Sequence, residues 1–137
     1  MLTKAEIKRI RSLGDKAGRE EERAFVVEGE KMVRELLASG FVVQSLYRVG
    51  EQLSAADMGR ISFLRTPTPV LAVAEMPADR NAAKNPRMPQ GLALVLDDVQ
   101  DPGNVGTILR LADWFGVRTV YASPGTADCW NPKVVQA

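Results

Sequence analysis

The chain has 137 residues, 45% hydrophobic and 26% charged, a globular composition sized for one ordinary domain or two small ones. Its net charge of +1 leaves any case for nucleic-acid binding to a local basic patch. The absence of histidine removes the commonest general base and metal ligand. With only Cys129 beside it, that absence argues against a disulfide, a zinc site and a Cys–His nucleophile.

The opening MLTKAEIKRIRSL is charged, with neither the apolar core nor the cleavage site of a signal peptide. No apolar stretch reaches bilayer length, so no membrane partner is expected. Together with the lone cysteine this points to the cytoplasm. Residues 3–13 read as an amphipathic helix with Ile7, Ile10 and Leu13 on its buried side. Lys4, Lys8 and Arg11 share another face at i, i+4 and i+7, and with Arg9 they oppose a single acid, Glu6. As phosphate contacts they would position RNA without reading its sequence; the alternative is a solvated helix face.

GDKAGREEER (14–23) reads as a polar turn and AFVVEG (24–29) as a strand. Residues 28–40 carry helix periodicity at Met32, Val33, Leu36 and Leu37, with Gly40 as the stop. A second strand lies in FVVQSLYRVG (41–50), and a short helix with loops in 51–64. After the break at Thr66-Pro67-Thr68-Pro69, VLAVAEM (70–76) is a third strand. The proline- and asparagine-bearing PADRNAAKNPRMPQG shows no apolar periodicity and marks a linker over 77–90. Residues 1–76 and 91–137 are then separate domains.

LALVLDD (92–98) is nearly continuous apolar sequence, the pattern of a strand buried on both faces of a parallel sheet. The loop DVQDPGNVG, a helix ending before Gly116 and the strand RTVYAS (118–123) complete a βαβ unit. NPKVVQA (131–137) enters another helix. On the helix after the loop, Val105, Ile108, Leu109, Ala112 and Phe115 form a stripe toward the sheet. Gly106, Arg110 and Asp113 lie on a different face, and Asp101-Pro102 suits an N-cap followed by the first helical position. A glycine in the first turns costs about 1 kcal/mol against alanine, so Gly106 marks close approach of a backbone or a ligand. The loop sits where open α/β sheets place ligand crevices.

Three readings of that loop stand on spacing alone. It is a structural turn with Arg110 paired to Asp98 or Asp113, or a phosphate-binding helix start, or a ligand loop of unspecified chemistry. Neither G-x-G-x-x-G nor GK[ST] is present. No aromatic pattern for base stacking occurs. Trp114 and Trp130 are expected in the core or in a subunit contact, and Cys129 has no assigned role.

Leu96–Gly116 resembles the first signature motif of the SpoU-type (TrmH-like) RNA ribose methyltransferases of the SPOUT superfamily, and NPKVV (131–135) the opening of their second motif. REEERAFVVEGEKMV (19–33) is similar to the substrate-binding domain that often precedes them. The resemblance implies transfer of a methyl group from S-adenosylmethionine to a ribose 2′-hydroxyl of rRNA or tRNA, without a metal, by a homodimer. It makes Asn104 and Arg110 the catalytic candidates. Arginine is a poor free base because its pKa exceeds about 12, so positioning and electrostatic stabilisation suit Arg110 better than proton abstraction. Asn104 would orient that arginine or hold the loop.

The resemblance also implies that the cofactor contacts and the family's C-terminal knot lie downstream of Ala137; Gln136 stands where many relatives carry arginine. The expected fold is α/β: a small ribosomal-protein-like RNA-binding domain, then the start of a Rossmann-like parallel-sheet methyltransferase domain. The other two readings are a non-catalytic RNA-binding module and an unrelated nucleotide-binding α/β protein.

Overall fold

The structure is a computed structural model and describes residues 1–78 and 91–137. Most of the expected linker, 79–90, lies outside the described residues. The chain divides into two compact units. The first is built on Met1–Met76; the second contains the segments Pro77–Cys129 and Lys133–Val135 together with Ala137.

In the first unit, α1 (Lys4–Ser12) opens on a capping box. The Glu6 amide donates to Thr3 Oγ1 at 3.1 Å, and the Thr3 amide donates to Glu6 Oε2 at 2.8 Å. That backbone hydrogen bond, with the Thr3 hydroxyl adding to it, holds the Glu6 carboxyl below its ordinary pKa. Residues 14–23 are not merely a turn, because Lys16–Glu22 form a helix, α2. Its buried residue is Arg19, 2% exposed, whose guanidinium donates to the carbonyls of Leu13 and Gly14, each at 3.0 Å. A Cβ on Gly18 would stand 1.9 Å from the Ser12 carbonyl oxygen, so the backbones of α1 and α2 meet there.

β1 (Ala24–Glu28), β2 (Val43–Arg48) and β3 (Val70–Glu75) form an antiparallel sheet in the order β1-β3-β2. The last strand in sequence is thus the central one, and its first five residues are all buried. Leu71 and Val73 on one face join Ala24, Val26, Ile10 and Leu13, together with Met58 and Ile61 of α4 (Ala55–Ile61), in one apolar cluster. Val70, Ala72 and Ala74 take the other face by strand alternation. α3 (Glu30–Ala38) packs against β1 and β3 through buried Val33 and Leu36. Leu37 is instead 53% exposed. Gly40 follows the end of α3 at φ +82°, the left-handed stop its sequence suggests.

In the second unit, β4 (Ala93–Leu96) and β5 (Thr119–Ala122) pair in parallel and are linked through α5 (Pro102–Trp114). Leu96 and Val120 pack with Val105, Ile108 and Leu109 of α5 and Val134 of α6 (Pro132–Gln136). Among the described residues β4 is covered on one face. Val95, 73% exposed, is paired with exposed Tyr121 on the side away from this cluster. Among the described residues α5 covers one face of the strand pair.

Candidate active-site loop

The loop between β4 and α5 is held by hydrogen bonds and by Val99, which packs against the Leu96, Val105 and Val134 cluster. Asp98 adopts φ +55°, a left-handed conformation unusual for a residue with a side chain. Its amide donates to Ser123 Oγ at 2.8 Å, and its Oδ1 accepts from Gln100 Nε2 at 3.2 Å. The next amide, of Val99, donates to Thr126 Oγ1 at 3.3 Å, and the Val99 carbonyl accepts from the Ala127 amide at 2.9 Å. The loop after β5 therefore fastens the loop after β4. Sequence reasoning passed over Ser123 and Thr126, for which the only signal was a Ser-Pro-Gly-Thr turn following a strand.

α5 begins as the sequence suggests. Asp101 is the N-cap, its carboxylate accepts from the Gly103 amide at 3.3 Å, and Pro102 fills the first helical position. Val105 and Ala112 are buried and Ile108 and Leu109 half-buried, but Phe115 is 76% exposed. Phe115 lies beyond the last helical residue as the C-cap, so the periodic stripe stops at Ala112. Trp114, 83% exposed, stands on the helix side opposite the packed stripe. Trp130 is half-buried.

Gly106 is buried, and the close approach it marks is to a backbone. A Cβ there would lie 2.7 Å from the Val134 carbonyl oxygen and 2.5 Å from Ala137 Cβ. One turn further along the same face, the exposed Arg110 guanidinium donates to the Ala137 carbonyl. The ion pair with Asp98 or Asp113 is not formed among the described residues. Arg110 is instead held by the end of the segment that begins NPKVV, so the two motifs meet on one face of α5.

Asn104 is exposed in the first turn. Six residues separate it from Arg110, about 9 Å of helix rise and about a third of a turn around the axis. No hydrogen bond joins the two side chains, so the structure does not bring them together.

On the first unit, Lys4 and Lys8 are exposed. Arg11 donates to the Ser62 carbonyl at 3.0 Å and lies 5.0 Å above the Phe63 ring, a cation–π contact. Arg9, on another side of α1, is bound to Glu22 at 2.7 Å and to Gln44. Among the described residues no cluster of acidic, cysteine or histidine side chains could hold a metal ion, and no helix is long and apolar enough to cross a membrane.

Residues 4–76 match the MRM3-like substrate binding domain, and residues 91–137 match the SpoU rRNA Methylase family. The chain belongs to the MRM3-like substrate binding domain family over its first half, and its second half carries the SpoU match. Among SpoU relatives, it is 30% identical to the 23S rRNA (guanosine(2553)-2′-O)-methyltransferase RlmP of Bacillus subtilis over 96% of this chain. Among solved structures, a TrmH-family protein from Porphyromonas gingivalis is 41% identical and superposes with a TM-score of 0.84 over 98% of this chain. An AdoMet-bound rRNA methyltransferase from Sinorhizobium meliloti is 29% identical, with a TM-score of 0.73 over the whole chain. The chain spans 56% of the Bacillus relative and 57% and 58% of the two structures. The α/β architecture is that of the TrmH/SpoU proteins: a substrate-binding domain followed by the beginning of the methylase domain.

Proposed function

We propose that the full-length protein methylates a ribose 2′-hydroxyl of ribosomal RNA, with residues 1–76 holding the substrate, 77–90 linking, and 91–137 opening the methylase domain. What supports this most is the seating of Arg110 and Gly106 on the second-motif segment, which gives the arginine a fixed place at the loop's helix. The names of the relatives favour rRNA over tRNA. The reading includes a cytoplasmic homodimer.

S-adenosylmethionine supplies the methyl group in this reading. The hydroxyls of Ser123 and Thr126 and the amides of Asp98 and Val99 are engaged within the chain rather than offered to the cofactor. What this chain offers is the acceptor side. The Arg110 guanidinium, planar and permanently charged, has donors beyond the one given to Ala137. They can grip an RNA phosphate and stabilise the alkoxide that develops as the 2′-hydroxyl loses its proton. Exposed Asn104 is free to hydrogen-bond RNA or loop backbone. Lys4, Lys8 and Arg11 contribute sequence-independent phosphate contacts.

Single-turnover methylation by the full-length protein at saturating rRNA and S-adenosylmethionine tests the role of Arg110. Loss of an oxyanion-type donor is typically worth about 2.7–4 kcal/mol, so Arg110→Ala should slow the step about 10²–10³-fold. Arg110→Lys keeps the charge but loses the fork and should slow it about tenfold. Near-normal turnover in Arg110→Ala would leave Arg110 a purely structural tie to Ala137.

A further inference from the structure

The two hydroxyls between the strand ends have one consistent arrangement of hydrogens. Leu96 O can only accept, and Thr126 Oγ1 lies 3.0 Å from it, so the single Thr126 hydroxyl hydrogen points there. Ser123 Oγ, 3.1 Å from Thr126 Oγ1, must then be the donor of that pair. Ser123 Oγ in turn accepts the Asp98 amide, and Thr126 Oγ1 accepts the Val99 amide as well. The result is a directed relay, Asp98 N–H to Ser123 to Thr126 to Leu96 O, in which each hydroxyl both donates and accepts. The Ser123 amide also donates to Leu96 O at 2.9 Å.

The relay clamps residues 96–99, the segment in which Asp98 is left-handed. The loop opposite is shaped to receive it. A Cβ on Gly125 would stand 2.3 Å from Asp98 Oδ1, so the glycine lets that carboxylate lie against the loop without turning aside. Two residues beyond Val99 comes Asp101, the cap that starts α5. The relay thus sets where α5 begins, and with it the placement of Asn104 and Arg110.

We propose that Ser123 and Thr126 are positioning residues for methyl transfer, acting through the β4–α5 loop on Asn104 and Arg110. The proposal rests on the methyltransferase reading above. Neither hydroxyl need touch substrate. A misplacement of about 1 Å in a catalytic constellation can cost about a hundredfold in rate, so loosening the loop should appear in the chemical step rather than in binding.

The test uses the full-length protein with protein-free large-subunit rRNA and S-adenosylmethionine. Thr126→Val keeps the shape and removes one hydroxyl, Ser123→Ala removes the other, and Thr126→Ser restores the first. Amide hydrogen exchange at Asp98 and Val99 is followed beside kcat and the KM of each substrate. Thr126→Val and Ser123→Ala should lower kcat about ten- to a hundredfold with both KM values within about twofold, and Thr126→Ser should stay within about threefold of the unaltered protein. Exchange at the two amides should quicken by about tenfold in the two hydroxyl-less variants.

Quicker exchange with unchanged kcat would overturn the positioning role, and unchanged exchange would overturn the clamp itself. A Thr126→Ser loss as deep as that of Thr126→Val would also overturn it, because the methyl group and not the hydroxyl would then matter. Should Thr126→Val fail to fold, Ser123→Ala carries the same test. Absence of methyl transfer by the unaltered protein would sink the methyltransferase reading. Transfer that survives removal of both hydroxyls would sink only the positioning role.

Discussion

Replacing Gly106 by alanine sets two known effects against each other. Within a helix, alanine is favoured over glycine by about 1 kcal/mol. Here the new methyl group would lie 2.7 Å from the Val134 carbonyl oxygen and 2.5 Å from Ala137 Cβ. Ordinary carbon–carbon contacts sit at about 3.5–4.0 Å, so the NPKVV segment must retreat by roughly 1 Å. Overpacking of this kind costs about 1–3 kcal/mol. The difference predicts a net loss of about 1 kcal/mol in urea unfolding, small enough to leave the protein folded. The same retreat takes the Ala137 carbonyl away from Arg110, and a shift of that size can cost about a hundredfold in turnover. The expected signature is therefore a small stability change beside a large fall in single-turnover methylation. A Gly106→Ala protein that gains about 1 kcal/mol, as propensity alone dictates, and keeps its activity would refute the close packing of α5 on that segment.

Replacing Lys4 and Lys8 together by alanine should weaken rRNA binding and make its salt dependence shallower by somewhat less than one log unit per lost contact, with no change in melting temperature. Arg11→Ala should lower the melting temperature as well, because it removes the Ser62 and Phe63 contacts; an unaltered salt slope in both variants would make the face merely solvated. The Thr3 backbone hydrogen bond lowers the Glu6 carboxyl, and the Arg48 side chain lowers that of Glu30. Folded values below the unfolded ones mean that both groups stabilise the fold above the ordinary carboxylate range and cease to do so as pH falls through the lowered values. Urea titrations at neutral and acid pH should show a flatter pH profile in Glu6→Gln, whereas Thr3→Ala should cost about 1 kcal/mol through the lost cap.

The βαβ unit was legible because apolar runs, an Asp-Pro cap and a terminal glycine are local signals, and each occupies its expected place. α2 was not. Its buried residue is an arginine satisfied by the carbonyls of Leu13 and Gly14, and a pattern that assigns charge to solvent reads the segment as a turn. Phe115 continues the periodicity of α5 by number, yet the helix has ended before it. Arg110 was found through its motif, but its partner is a backbone carbonyl, which every residue has and no sequence advertises. Ser123 and Thr126 escaped notice for a related reason: small polar residues in a loop suggest local turn chemistry, whereas these bond to residues far earlier in the chain.

The strand order β1-β3-β2 has a consequence during synthesis. β1 and β2 emerge from the ribosome before the strand that pairs with both, since β3 opens only at Val70 while β1 ends at Glu28. At about 5–20 residues per second, the apolar run AFVVE waits roughly 2–8 s for a partner. Once β2 has followed at Val43–Arg48, the nascent chain carries two unpaired strands, open to pairing with a neighbouring copy on the same messenger RNA. The arrival of Val70–Glu75 pairs one edge of each strand in a single event, so the completion of β3 leaves only the outer edges of β1 and β2 open to a neighbour.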